Sequence, residues 1–147
     1  MSGKYFIDTN IFICSFDPRN RYKQKKAQEI IDQAVKTGQG MISYQVVQEF
    51  LNVALRKFSV PLSAQDCLVY LEQILRPLCE VYPTFELYKD ALLIQAEIKI
   101  SFYDALMVVS SIHGGCHLIY SEDLQHGLKI SGLHIENPFF LRKHDAN

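Results

Sequence analysis

The chain has 147 residues, and no run in it reaches the roughly 18 consecutive apolar residues that a helix needs to cross a bilayer, so no membrane span is expected. Its first residues, MSGKYFIDTN, lack the charged, apolar and small-residue succession of a secretory signal, which gives the cytoplasm as the expected address. Cysteine is sparse and unpatterned: Cys14, Cys67, Cys79 and Cys116 form no CxxC and no regular framework, as expected of reduced structural thiols. Only five prolines and seven glycines are present, with no linker, repeat or low-complexity stretch, while 48% of residues are hydrophobic. That is enough apolar material for one compact domain over residues 1–147. An excess of either charge is missing too: a net charge of −1 and a pI near 6.5 exclude a generally basic nucleic-acid coat. Any such contact must be local, and RNRYKQKK, with Arg19, Arg21, Lys23, Lys25 and Lys26, is the one candidate run, although a solvated helix start is the reading its composition favours.

What is present is an alternation of short apolar runs and helical patterns. YFI before DTN reads as a strand buried on both faces, because its apolar residues are continuous rather than alternating. A basic amphipathic helix follows from about Asn20 to Lys36, with the glycines of TGQG at its end. MIS, residues 41 to 43, is a second short strand, and from Tyr44 the spacing of Val47, Phe50, Leu51, Ala54, Leu55 and Phe58 predicts a helix closed by SVP. Ser63 and Asp66 form a capping box for a helix that Pro77 should end. LCEVYP supplies a third strand, Thr84 caps a helix striped by Leu87, Ala91, Ile94 and Ile98, and SFYDALMVVSSIHGG is a helix stopped by Gly114 and Gly115. HLIYSEDL and LHIENP each contain a short strand. Strands alternating with helices imply an α/β fold, a three-layer α/β/α sandwich around a parallel sheet of four to five short strands.

In such sheets ligands bind beyond the carboxyl ends of the strands. Asp8 follows YFI there, and Ser121, Glu122 and Asp123 follow LIY; were the two strands neighbours, Asp8 and Asp123 would meet. Asp8 with Thr9 and Asn10 reads also as a plain helix cap. Asp104 lies in a helix apolar almost all round, so its carboxylate needs a partner, unless it simply completes a capping box with Ser101. Glu49 falls opposite the apolar stripe of its helix, among Gln45, Asn52 and Arg56, which by periodicity alone makes it a solvated glutamate.

FIDTN, SYQVVQEF, YDAL and YSEDL, in this order, resemble the PIN-domain family of nucleases, and within it the VapC-type toxins of bacterial toxin–antitoxin pairs. The likeness runs from Asp8 to the strand near Ile135. It implies a PIN-like fold and assigns Asp8, Glu49, Asp104 and Asp123 to one acidic pocket, with Thr9, Asn10 and Ser121 in support. For Glu49 this overrides the periodicity. Asp123 rather than Glu122 is the expected last acid, because it stands two residues after a serine. Four neighbouring carboxylates need a cation, and an oxygen-only set suits Mg²⁺ or Mn²⁺; His113, His117, His126, His134 and His144 offer no zinc-like spacing. The resemblance thus implies a metal-dependent endoribonuclease leaving a 5′-phosphate and a 3′-hydroxyl, with RNA phosphates held by the run from Arg19 to Lys26. It also implies a cognate antitoxin placing an Arg or Lys among the acids, and a homodimer, for which LEQILRPL offers either contact or core. Two other classes compete. A PIN-fold scaffold would keep the acids without cleaving, and a Mg-binding receiver module would need paired acids after the first strand and an Asp after the third, which DTN and CEVYP lack.

Overall fold

The computed structural model describes residues 3–140. His144 and both ends of the expected 1–147 span lie outside them.

The first strand, β1 (Tyr5–Ile7), is the continuous apolar run, with Phe6 and Ile7 wholly buried. Its ladder is parallel on both sides, to β2 (Gly40–Ser43) and to β4 (Leu118–Tyr120). Outward from these lie β3 (Cys79–Val81) beside β2 and β6 (Leu133–Glu136) beside β4, both parallel. A two-residue strand, β5 (Lys129–Ile130), adds an antiparallel edge and gives the order β3-β2-β1-β4-β6-β5. The sheet is therefore mostly parallel, with one strand more than the expected four to five. The edge hairpin turns through Ser131 and Gly132, both at positive φ, the geometry a tight two-residue hairpin requires.

Among the described residues seven α-helical segments connect the strands. The first, α1 (Thr9–Cys14), follows Asp8 directly; α2 (Arg21–Thr37) is capped by the Asn20 side chain and stopped by Gly38 in the left-handed region. Next come α3 (Tyr44–Arg56) and α4 (Ala64–Tyr70), the latter opened by the Ser63–Asp66 capping box. A π-helical turn over Leu71–Leu75 leads into α5 (Arg76–Leu78), so the helical path runs one residue beyond Pro77 instead of stopping there. Pro77 follows the π-turn directly, inside one unbroken helical path, so the change in hydrogen-bond register lies just before the residue that has no N–H to donate. A packed pair, α6 (Phe85–Ile98) and α7 (Phe102–His113), precedes β4.

Two glycines show how the layers are arranged. A Cβ on Gly40 would lie 2.3 Å from the Cβ of Ala34 on α2, and one on Gly114, at the end of α7, would lie 2.3 Å from Sδ of Met41. Residues 40 and 41 point to opposite faces of β2, so α2 and α7 cover opposite sides of the sheet. The α2 side is filled by Ala27, Ile30, Ile31 and Ala34, and the main core continues into an aromatic cluster in which Phe50 contacts Phe12, Phe16, Phe58 and Tyr70. A smaller cluster of Val81, Leu87, Ala91, Ala105, Leu106 and Val109 joins α6 and α7 to the edge at β3. Leu75 and Leu78 of LEQILRPL are buried in the main core, which removes them as a contact surface. All four cysteines are free thiols, Cys67 buried and the other three half-buried. Among the described residues no helix is long and apolar enough to cross a membrane.

Candidate active site

The site is built where β1 and β4 end side by side. The Asp8 N–H donates to the Tyr120 carbonyl (3.0 Å) and the Ser121 N–H to the Glu136 carbonyl (3.0 Å), so both residues continue the ladder and inherit its rigidity. The Asp8 side chain, 5% exposed, accepts from the Thr9 N–H at 2.7 Å through Oδ1 and from the Ser121 hydroxyl at 2.7 Å through Oδ2. Asp8 is thus the N-cap of α1 and an inward-facing acid at once. Burial pushes its carboxyl up to about 7; the Ser121 and Thr9 hydrogen bonds pull it down, and the charges of Asp123 and Glu49 add to the rise. Ser121, fully buried, also accepts from the Leu124 N–H at 3.2 Å, which folds the loop carrying Asp123 back over the strand end.

Glu49 reaches this point from α3. The Thr9 hydroxyl donates to its Oε1 at 2.5 Å and Gln45 Nε2 to its Oε2 at 3.2 Å. The polar side of α3 is the wall of a cleft, not open surface, which is why periodicity alone misplaces Glu49. Asp104 is half-buried rather than enclosed, because it stands in the first turn of α7. Its N–H donates to the Ser101 hydroxyl at 3.1 Å, half of a capping box, while its carboxylate lines the same pocket as the other three acids. That pocket, about 290 Å³, is bordered by Asp8, Glu49, Asp104 and Asp123. Burial and then the charges of Asp104, Glu122 and Glu49 raise the Asp123 carboxyl above its ordinary range.

The donor set fits a hard divalent cation: carboxylates, the Thr9 hydroxyl and side-chain amides, all oxygen donors, with no thiolate or imidazole on the pocket wall. Among the described residues no ion pair links any of the four acids to Lys, Arg or His, so their charge is uncompensated. Among the same residues no three His, Cys, Asp or Glu side chains are gathered tightly enough to form a ready-made cage.

Glu122 is turned to other work. Its carboxylate pairs with Lys23 and accepts from Asn10 Nδ2 at 2.5 Å, and it does not border the pocket. Asn10 therefore braces the loop before Asp123, and Lys23 from α2 does the same. The rest of the basic run is dispersed: Arg19 is chelated by Asp17 through Nε at 2.9 Å, Arg21 and Lys25 are exposed on α2, and Lys26 borders a separate hollow beside Tyr5 and Tyr120. Three pocket residues carried no signal in the sequence beyond their spacing: Gln45 and Asn52, at i−4 and i+3 from Glu49 on one helix face, and Tyr103, next to Asp104. Gln45 Nε2 also donates to the Tyr103 carbonyl at 3.3 Å, tying the walls from α3 and α7 together.

No curated protein matches the sequence. Solved structures do match the fold: a toxin–antitoxin complex from Klebsiella pneumoniae (16% identity, 94% of this chain and 100% of that one, TM-score 0.66) and DNA-bound VapBC from Salmonella typhimurium (20%, 91% and 97%, TM-score 0.64). VapC20 of Mycobacterium tuberculosis, described as a Sarcin-Ricin loop cleaving toxin, is a third (16%, 82% and 90%, TM-score 0.56). The family model of the PIN domain matches residues 5–127, which include all four acids. With that match over most of its length, the chain belongs to the PIN-domain family.

Proposed function

We propose that this PIN domain is a Mg²⁺- or Mn²⁺-dependent endoribonuclease and the toxin of a toxin–antitoxin pair. The observation that carries the reading is the convergence of four carboxylates, from four distant segments, on one pocket that holds no countercharge of its own. Asp8, Asp104 and Asp123 would hold the metal, and Glu49 would complete its shell or orient a water. A divalent ion there would lower the pKa of an attacking water and offset charge building on the phosphate and the leaving oxygen, leaving 5′-phosphate and 3′-hydroxyl ends. The protein's own part is positioning: Ser121 and the Thr9 N–H fix both oxygens of Asp8, and Thr9 and Gln45 fix both of Glu49.

The acidic centre repels RNA, so cations around it must hold the phosphates; Arg19, Arg21, Lys25 and Lys26 of the basic run are exposed, and of these Arg19 is already paired with Asp17. A cognate antitoxin would cover the cleft and place an Arg or Lys among the acids. The toxin–antitoxin complexes among the similar structures support such a partner. A homodimer would use α6, where Phe85, Leu92 and Leu93 are 86%, 57% and 68% exposed. The site of action would be the cytoplasm.

A non-cleaving scaffold has one observation in its favour, the absence of a ready-made cage among the described residues. One experiment separates the two. Purified protein with Mn²⁺ should cut RNA to give 5′-phosphate ends, and Asp104→Ala should not; metal binding with intact RNA would establish the scaffold.

A further inference from the structure

Beside the acid pocket lies a second cavity of about 330 Å³, and the two share Gln45 and Tyr103. Its walls carry two groups of touching rings: Tyr44 with Tyr82, centroids 5.4 Å apart, and Phe102 with Tyr88 at 6.4 Å and Tyr103 at 5.7 Å. Four of these residues stay accessible to solvent; Tyr44, Tyr82, Tyr88 and Tyr103 are 45%, 56%, 37% and 65% exposed. The same cavity is bordered by three polar side chains that are at least nine-tenths buried and have an atom without a hydrogen-bond partner: Ser43 Oγ, Gln45 Oε1 and Ser110 Oγ. Ser43 precedes α3, where a serine ordinarily caps the helix, yet its hydroxyl makes no such bond. An orphaned buried hydroxyl or amide oxygen is costly, and three around one cavity define a place where a ligand's donors and acceptors would be matched.

We propose that this cavity binds one nucleobase of the substrate, extruded from a single-stranded segment next to the phosphate in the acid pocket. Aromatic faces supply stacking, which any base accepts, and the three polar groups supply the edge contacts that discriminate between bases. Gln45 belongs to both places: its Nε2 holds Glu49, so a base engaging the same amide would register its own phosphate against the carboxylates. The proposal takes from the nuclease reading only the identity of the polymer.

The test uses the full chain, with chelator present, and short single-stranded RNAs carrying 2-aminopurine at each position in turn. Fluorescence should be quenched at one position, Tyr88→Leu should relieve that quenching and weaken binding about tenfold, and Ser110→Ala should alter the preference among the four bases there with unchanged thermal stability. Uniform fluorescence at every position overturns the proposal. So does a Tyr88→Leu protein that passes from dimer to monomer with unaltered RNA affinity, because the cavity then belongs to a second copy. With Mn²⁺ added, positional quenching without cleavage sinks the nuclease reading and leaves the base pocket standing, whereas cleavage at the same sites by all three proteins does the reverse.

Discussion

Asp8→Asn should abolish cleavage and yet make the metal-free protein more stable, by an amount that grows with pH. Burial raises the Asp8 carboxyl from 3.8 to about 7, so between those values the unfolded chain is ionised while the folded one stays protonated. The folded protein then loses stability as pH rises from 3.8, and the loss is complete above 7. At about 1.36 kcal/mol per pKa unit, the penalty reaches at most about 4 kcal/mol at pH 8 and about 1.6 kcal/mol at pH 5. Asn carries no charge and can keep one acceptor for the Thr9 N–H, while its amide group faces the Ser121 hydroxyl. Conversion at about 3 °C per kcal/mol for a chain of this size gives a gain in Tm of up to roughly 12 °C at pH 8 and 5 °C at pH 5. Thermal unfolding by circular dichroism in chelator, at both pH values, reads it. An Asn variant less stable than the parent at pH 8, or equally shifted at both, would refute the reasoning that Asp8 is a charge held uncompensated for function.

Ser121→Ala removes a donor from a buried carboxylate, so the Asp8 pKa should move further above 7 and stability should fall by about 1–3 kcal/mol, seen as a displaced pH profile of Tm. Glu122→Gln should leave most RNA cleavage in place, because Glu122 pairs with Lys23 and does not border the pocket, whereas Asp123→Asn should abolish it; equal losses from the two would mean that the acids share the role. Gly40→Ala would set its Cβ against Ala34 and Tyr5, and overpacking at that contact should cost about 1–3 kcal/mol in urea unfolding with little effect on metal affinity.

Much of the fold could be read in the sequence because its signals are local. Asn20, Ser63, Thr84 and Ser101 each cap the helix that follows with a side-chain oxygen, and Gly38, free of a Cβ, stops α2 in the left-handed region. The features that escaped are those too short for a period. Of the six-residue α1 only the cap at Asp8 was legible, because IFIC is too short to show a period, and β5 has two residues and exists because the Ser131–Gly132 turn lays it on β6. The pass through Pro77 depends on the π-turn before it, a backbone adjustment that leaves no hydrophobic pattern. At the site, Asp8 and Ser121 announce themselves by standing at strand ends, but Glu49 does not. Its helix presents a polar face toward a cleft, and one helix's periodicity cannot distinguish a cleft from solvent. The basic run was legible as charge but not as placement, since Asp17 and Glu122 take up two of its members.

The central claim is that Asp8, Glu49, Asp104 and Asp123 act together as one metal-dependent cutting site. Mn²⁺ affinity by calorimetry and RNA cleavage with mapped 5′ ends, measured on one preparation each of the parent, Asp8→Asn, Glu49→Gln, Asp104→Asn and Asp123→Asn, test it most directly. The account predicts Mn²⁺-dependent cleavage by the parent, loss of cleavage in all four variants, and weakened Mn²⁺ binding in the three aspartate variants. Cleavage by Asp8→Asn at the parental rate, or by the parent without any divalent ion, would contradict it.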